Sequence, residues 1–127
     1  MTAVDTNVVV RLIMADDAAQ TAAARALFAA GPVWIAKTVW LETAWVLGSY
    51  YAFDGREIGR AFTRLLALSN VYTEDKPSIA AAVELTAHGI DIADAIHLTG
   101  RPAGAAFVSF DQAFVRRARR AGVSEIS

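Results

Sequence analysis

Cysteine is absent from the sequence, and this absence removes several kinds of chemistry. Without thiols there can be no disulfide framework, no thiolate metal site and no catalytic cysteine. Histidine is scarce as well, with two residues. Any metal site in this chain is therefore expected to use mainly oxygen ligands. The lack of cysteine also fits a reducing compartment.

The sequence has almost no net charge and no long apolar run. The 12 basic and 13 acidic residues leave a net charge of −1, which excludes a polycation that coats nucleic acid or a membrane surface. Any nucleic-acid binding must then be local. Arg11 and Glu42 interrupt the most apolar stretches before about 18 residues accumulate, and Met1–Val10 lacks a signal-peptide pattern. We therefore expect a soluble cytoplasmic protein.

The length favours one domain, and the alanine content shows that much of the apolar fraction is small side chain. A chain of 127 residues has the commonest size of a single domain, so one domain over residues 1–127 is expected. Hydrophobic residues make up 55% of the chain, but 27 positions are alanine, a small helix-forming residue. This composition excludes a disordered chain.

Short β-branched runs alternate with alanine- and leucine-rich stretches at helical spacing, which is typical of an α/β domain with a parallel sheet. The predicted strands are Thr2–Asp5, Val33–Ala36, Val71–Thr73 and Ala105–Phe110, with Val123–Ile126 as a candidate edge strand. The predicted helices are Asp16–Ala30, Thr38–Tyr51, Arg56–Leu68, Pro77–Gly89, Ile92–Leu98 and Asp111–Ala121. Between Val8 and Ile13 the pattern does not separate strand from helix.

Four acidic residues fall where a functional site is expected. If the first and fourth strands are parallel, Asp5 and Asp111 lie at the same edge of the sheet, where open α/β sheets bind ligands. Glu42 interrupts an apolar helical segment and needs a partner if it is buried. Asp94 lies in the first turn of a short helix, and its role is expected to differ from that of Asp91.

Each of these acids also has a purely structural interpretation. Asp111 and Asp91 suit helix N-caps, and Asp94 would complement the helix dipole. Asp5 suits a turn, and Glu42 suits the exposed side of an amphipathic helix.

A shared site for the four acids requires a cation. Two carboxylates about 4 Å apart repel by on the order of 4 kcal/mol at an effective dielectric near 20. Mg²⁺ and Mn²⁺ prefer oxygen ligands and keep bound waters, which suits hydrolysis of a phosphodiester. The shared-site hypothesis therefore predicts a metal-dependent hydrolase.

Four short motifs, in their order and spacing, resemble the PIN domain, specifically the VapC-type ribonuclease toxins. They are Val4-Asp5-Thr6-Asn7, Leu41-Glu42-Thr43, Ile92–His97 and Phe107–Asp111. The resemblance covers essentially the whole chain. It implies a three-layer α/β/α sandwich with a central parallel sheet, a pocket that binds Mg²⁺ or Mn²⁺, and endonucleolytic cleavage of structured RNA.

The resemblance also implies residue roles and partners. It assigns the catalytic and metal-binding roles to Asp5, Glu42, Asp94 and Asp111. Asp5 and Asp94 would be the main metal ligands, and the other two would complete the pocket directly or through water. Asn7 would support the first aspartate, and Ser109 would keep a hydroxyl where threonine is usual. A homodimer and a cognate antitoxin protein that covers the pocket are also implied.

Several other residues keep two interpretations. His97 is either a metal ligand or a hydrogen-bonded helix histidine, and His88 suits a helix C-terminus. The arginines of the last helix form either a solvated basic face or a phosphate-binding rim: Arg116, Arg117, Arg119 and Arg120. The aromatic residues around Glu42 are either core and dimer contacts or a base-stacking platform: Trp40, Trp45, Tyr50 and Tyr51.

Two other functions compete with the nuclease. A phosphatase or phosphotransfer domain would use Asp5 as a nucleophile, but the haloacid-dehalogenase pattern needs an aspartate where this chain has Asn7. A receiver domain needs paired acids after the first strand, which are missing here. A catalytically silent PIN-like module that only binds RNA or protein would not need four acids.

Overall fold

Three short parallel strands form the sheet of the computed structural model, which describes residues 1–127. They are β1 (Thr2–Val4), β2 (Val33–Ile35) and β3 (Val71–Thr73), in the order β1-β2-β3. Val4, Ile35 and Thr73 are aligned at the carboxyl edge of the sheet. The central strand is bonded on both sides, and Val33 and Ile35 are fully buried, as in sheets that are covered on both faces.

Seven helices flank the sheet. They are α1 (Thr6–Met14), α2 (Ala18–Ala30), α3 (Lys37–Tyr50), α4 (Gly55–Leu66), α5 (Lys76–Leu85), α6 (Ile92–Thr99) and α7 (Gln112–Arg120). A 3-10 turn, Thr86–His88, follows α5 and ends at Gly89. The predicted α/β class with a central parallel sheet is confirmed. None of the helices is both long and apolar enough to cross a membrane.

Aspartate side chains begin most of these helices. The carboxylates that accept a backbone N–H of the first turn belong to Asp5, Asp17, Asp54, Asp91 and Asp111. This is the ordinary N-cap contact, which satisfies one of the free N–H groups of a helix start. Local sequence therefore sets where these five helices begin.

The core is centred on Trp40 of α3. Its side chain is fully buried, lies edge-on to Phe62 at a centroid distance of 4.9 Å, and donates its indole N–H to Thr73 Oγ1 at 3.0 Å. Trp40 thereby joins α3 and α4 to the end of β3. A buried indole needs such a hydrogen-bond partner, because an orphaned N–H would carry a desolvation penalty.

The predicted fourth strand is wrong. Ala105–Phe110 contains only an isolated parallel bridge, from Phe107 to Ile126, and neither segment joins the three-stranded sheet. The backbone N–H groups of Phe107 and Ser109 donate to Glu125 and Ser127 instead, at 2.8 and 2.9 Å. The apolar, extended segment pairs with the chain's last residues rather than with β1. The candidate edge strand Val123–Ile126 is reduced to this same bridge.

Some predicted helix boundaries are also wrong. Val8–Ile13, left undecided by the pattern, is part of α1. Thr38 does not cap α3, which begins after Ala36 without a side-chain cap. Gly55 does not precede α4 but begins it, because Asp54 and Glu57 form a capping box. This capping box was not predicted from the sequence, and the predicted start at Arg56 is one residue late.

Candidate functional site

Asp5 lies between β1 and α1, at the carboxyl edge of the sheet. Its side chain is exposed, and one carboxylate oxygen accepts the N–H of Val8 at a long 3.3 Å. A contact of this length is at the weak end of hydrogen bonding. The carboxylate is therefore both a helix cap and accessible to a ligand.

Glu42 lies on the second turn of α3, and its side chain is exposed to solvent. Its Oε1 accepts a hydrogen bond from the hydroxyl of Thr6, which is buried at the start of α1. Since Thr6 directly follows Asp5, this contact holds Glu42 against the segment that carries the first acid. Thr6 was not among the predicted site residues, although it lies within the Val4-Asp5-Thr6-Asn7 motif.

Asp94 has the least satisfied carboxylate of the four acids. It lies in the first turn of α6, is partly buried, and its side chain accepts no hydrogen bond. Burial raises the pKa of Asp94 above its usual value, and repulsion from Asp91 and Asp111 raises it further, against the opposing field of His97. The structure therefore places Asp94 within electrostatic range of Asp111.

Asp91 and Asp94 differ in role as the sequence predicted. Asp91 caps α6 by accepting the N–H groups of Ala93 at 2.9 Å and of Asp94 at 3.4 Å. The Asp94 carboxylate, one turn further along, is left free. This carboxylate is partly buried and repelled by two other acids, it accepts no hydrogen bond within the chain, and the field of His97 only partly offsets the repulsion.

Asp111 is exposed and caps α7, accepting the N–H of Phe114 at 3.0 Å. Its own N–H donates to Ser109 Oγ at 3.1 Å, so the serine hydroxyl fixes the start of the helix. The bridge to the chain's last residues holds this loop in place. Asp111 is thus positioned by that bridge and by α7, not by a fourth strand of the sheet.

The acids occur as two neighbouring sets. Thr6 connects Asp5 to Glu42 on one side, and Asp94 lies in the field of Asp91 and Asp111 on the other. Helix α3 packs against both α1 and α6, which places it between the two sets. No three His, Asp or Glu side chains come close enough together to form a ready-made metal cage.

The donor set nevertheless fits a hard divalent cation. All the candidate ligands are carboxylates, and Mg²⁺ is commonly held by only one or two of them together with waters and substrate phosphates. The free Asp94 carboxylate and the exposed Asp5 carboxylate suit such an open site. The oxygen donors therefore match the chemistry of Mg²⁺ or Mn²⁺, although the structure does not gather all four acids around one point.

Several supporting residues differ from their predicted roles. Asn7 makes no hydrogen bond to Asp5 and lines a cavity of about 370 Å³ between α1 and α2, together with Arg11 and Gln20. His97 is exposed and has no side-chain hydrogen bond, which corrects its interpretation as a hydrogen-bonded histidine. His88 ends the 3-10 turn, as predicted for a residue at a helix end.

The arginines of α7 are not equivalent. Arg119 donates twice to the carbonyl of Ile126, at 3.2 and 3.0 Å, and Arg117 donates to the carbonyl of Gly89 at 3.4 Å. Arg116 and Arg120 are exposed and make no such contact. The basic face is therefore partly structural, and only two of its four guanidinium groups are free for a phosphate.

The aromatic residues near Glu42 also separate into two kinds. Trp40 belongs to the core, and Tyr51 donates to Asp16 at 2.8 Å. Trp45 and Tyr50 are 63% and 77% exposed and contact each other edge-on, at a centroid distance of 6.2 Å. Phe110, next to Asp111, is 97% exposed. The core interpretation holds for Trp40, and Tyr51 packs partly buried against the core.

The comparison with protein families agrees with this arrangement. The family model of the PIN domain matches residues 2–120, which is nearly the whole chain. No curated protein matches the chain. PIN domains are generally nuclease domains that use divalent metal ions and act on nucleic acid, so the match supports nuclease chemistry for this fold.

Proposed function

The chain belongs to the PIN-domain family, and on that premise we propose that it is a metal-dependent endoribonuclease that hydrolyses phosphodiester bonds in structured RNA. The observation that carries the proposal is the Asp94 carboxylate. It is partly buried, accepts no hydrogen bond and lies in the repulsive field of Asp91 and Asp111. Such a group lowers the stability of the folded chain unless a cation binds there, which indicates a role in ligand binding.

The four acids would have different roles in the site. Asp5 and Asp94, whose carboxylates are accessible or free, would hold Mg²⁺ or Mn²⁺. Glu42 and Asp111 would complete the site directly or through bound water. Each of these two is oriented by a contact within the chain: the hydroxyl of Thr6 donates to Glu42, and the N–H of Phe114 donates to Asp111.

The bound cation would supply a water for in-line attack and neutralise charge on the phosphate. The chain's own residues set the conditions for this step. Thr6 limits the motion of Glu42, because its hydroxyl is bonded to one of the two carboxylate oxygens. The other oxygen stays free to accept a proton from water. Asp111 is held at its helix start, so it does not have to be ordered when the substrate binds.

The biological role we propose is that of a cytoplasmic VapC-type toxin that forms a homodimer and is silenced by a cognate antitoxin protein. The four motifs around Asp5, Glu42, Asp94 and Asp111 support this subfamily. The exposed Trp45–Tyr50 pair supports an interface, because large apolar side chains that lie together on a surface commonly mark protein contacts.

The test is RNA cleavage by the purified protein. We expect cleavage of structured RNA with Mg²⁺ or Mn²⁺, none in EDTA, and loss of activity in Asp5→Asn and Asp94→Asn. Asp17→Asn is the matched control, because Asp17 caps α2 in the same way but lies outside the site. Equal cleavage by wild type and Asp94→Asn, in preparations free of contaminating nuclease, contradicts the mechanism. RNA binding without cleavage would instead identify a silent binding module.

A further inference from the structure

The α4 helix carries a row of arginines that neither the core nor the site described above uses. Arg56, Arg60 and Arg64 follow one another at intervals of four residues, so they lie along one side of the helix. Successive members are separated by about 6 Å along the helix axis. In a chain with a net charge of −1, this is a local concentration of positive charge.

All three guanidinium groups are free. The side chains are exposed, and none of them makes a hydrogen bond or an ion pair within the chain. The two acids at the start of α4, Asp54 and Glu57, are engaged with each other's backbone N–H in the capping box. The row therefore has no anionic partner in the folded chain.

Helix stability does not explain the position of Arg56. It occupies the second residue of α4, in the first turn, where the helix dipole disfavours a cation. Arg64, in the last turn, is placed favourably by the same rule. A residue that opposes the dipole and makes no hydrogen bond or ion pair is better explained by a ligand than by the fold.

Two members of the row line a cleft. Arg56 and Arg60 lie at a cleft of about 470 Å³ between α4 and the α5 segment that ends in the 3-10 turn. The threonine hydroxyls there are already used, since Thr63 donates to Gly59 and Thr86 donates to Val83. One carboxylate, that of Glu84, also lines the cleft but is not paired with either arginine. The arginines are thus the free donors of this concave surface.

The cleft is close to the proposed catalytic acids along the chain. Ala87 lines the cleft, and Asp94, the next proposed catalytic acid along the chain, follows seven residues later. Gly89 lies between these two residues in sequence, and its carbonyl accepts a hydrogen bond from Arg117, which brings a further positive charge to this segment.

We propose that Arg56, Arg60 and Arg64 bind the phosphate backbone of the RNA strand that is cut at the acids. The inference rests on the proposed function for the identity of its ligand. Guanidinium groups match the geometry of phosphate and bind it through paired N–H donors. The row would act by positioning the substrate and would not take part in the chemical step.

The experiment measures binding of a fluorescein-labelled single-stranded RNA to the metal-free protein by anisotropy, in EDTA, from about 50 to 200 mM NaCl. Each phosphate contact on a single strand contributes about 0.7 to the slope of log K against log salt. We expect Arg56→Gln/Arg60→Gln to lower that slope by about 1.4 and to weaken binding. Arg56→Lys/Arg60→Lys should restore most of the slope, and thermal melting should be unchanged in both variants.

Arg25→Gln is the charge-matched control, because Arg25 is an exposed, unpaired arginine of α2. The proposal is overturned if Arg25→Gln lowers the salt slope as much per removed charge as the double glutamine variant does. It is also overturned if the double glutamine variant keeps the wild-type slope, or if the wild type does not bind RNA. Cleavage assays with Mn²⁺ separate the two hypotheses. If the wild type cleaves RNA but the double glutamine variant keeps the salt slope, only the proposed role of the arginine row is rejected. If binding depends on the arginines but no RNA is cleaved, only the proposed nuclease activity is rejected. For an active wild type, the double variant should raise KM with little effect on kcat.

Discussion

The hydroxyl of Thr6 donates a hydrogen bond to the carboxylate of Glu42, 36 positions later in the chain. Thr6 is buried at the start of α1, whereas Glu42 projects from α3 into solvent. The contact fixes the orientation of one proposed site acid relative to the backbone that carries another, Asp5. Its effect on activity should therefore exceed its effect on stability.

The first prediction concerns this bond. Thr6→Val keeps the shape of the side chain and removes the donor, so we expect a loss of unfolding free energy of about 0.5–1.5 kcal/mol. RNA cleavage should fall by about 10–100-fold, as is usual when a residue that orients a metal ligand is replaced. Thr6→Ser, which keeps the hydroxyl, should restore most of the activity. Full activity in Thr6→Val would show that Glu42 needs no orientation by Thr6.

The second prediction concerns Thr43, the neighbour of Glu42. The Thr43 side chain is fully buried, and its hydroxyl has no hydrogen-bond partner. Because an unsatisfied buried polar group destabilises the fold, Thr43→Val should raise the unfolding free energy by up to about 1 kcal/mol. Chemical denaturation measures this change. Thr43→Ser, which keeps the hydroxyl and loses a methyl group, should be less stable than wild type by about 1 kcal/mol. Destabilisation by valine would mean that the hydroxyl is satisfied.

The third prediction uses the repulsion among the acids. In EDTA, Asp94→Asn should be at least as stable as wild type, because the substitution removes a partly buried charge that Asp91 and Asp111 repel. A cation that binds only the folded protein adds about 2.7 kcal/mol at a hundred times its dissociation constant. Mn²⁺ should therefore raise the stability of the wild type, and it should raise the stability of Asp94→Asn much less.

Thermal melts with EDTA and with a Mn²⁺ titration measure both effects. Asp111→Asn provides a useful comparison, since removal of its N-cap carboxylate also weakens the start of α7. If Asp94→Asn is destabilised without metal and both proteins gain equally with it, Asp94 has a structural role and no shared metal site exists.

The fourth prediction is the pH dependence of the same variant. Because the folded-state pKa of Asp94 is raised, mainly by burial, the folded chain favours the protonated carboxyl more than the unfolded chain does. The destabilisation by Asp94 is therefore present above the raised pKa and disappears as the pH falls through it toward the usual value of 3.8. The stability difference between Asp94→Asn and wild type, measured in EDTA, should be largest near neutral pH and shrink on acidification. A difference that grows on acidification would contradict the assigned direction.

The fifth prediction concerns the packing of α4 against the 3-10 turn. A Cβ at Gly59 would overlap the hydroxyl of Thr86, a residue that is itself buried and bonded to Val83. Gly59→Ala should therefore lower the unfolding free energy by about 1–3 kcal/mol, and Gly59→Ala/Thr86→Ala should recover part of the loss. Gly55→Ala is the control, because nothing lies within 4 Å of its Cβ position. Denaturant melts in which Gly59→Ala and Gly55→Ala are equally stable would refute the close contact.

Much of the fold was predictable because its signals are local. Strand β3 lies at Val71–Thr73 as predicted. Helix α2 ends at Ala30 as predicted, directly before the helix-breaking pair Gly31-Pro32. The starts of α6 and α7 were also predicted, at Asp91 and Asp111. An N-cap is a contact within one helical turn, so a few neighbouring residues are enough to specify it.

The fourth strand was not predictable from its own residues. The apolar residues of Ala105–Phe110 favour extended structure, but they do not specify the segment with which this one pairs. Its partner, Ile126, comes from the chain's last residues, and the alternation of side chains is the same whichever partner is chosen. The sheet therefore has three strands where the pattern predicted four.

The sequence by itself determined the α/β class, most helix starts and the choice of Asp5, Glu42, Asp94 and Asp111 as candidate acids, because these follow from residue type and short-range spacing. Only the tertiary structure decided that Thr6 holds Glu42, that Asp94 stays free in the field of Asp111, and that the arginines of α4 face solvent without a partner. The first relationship joins residues that are distant in the chain. The other two depend on the absence of a hydrogen-bond or ion-pair partner for Asp94 and for the arginines. They arise when packing brings the helices together, and no local pattern encodes them.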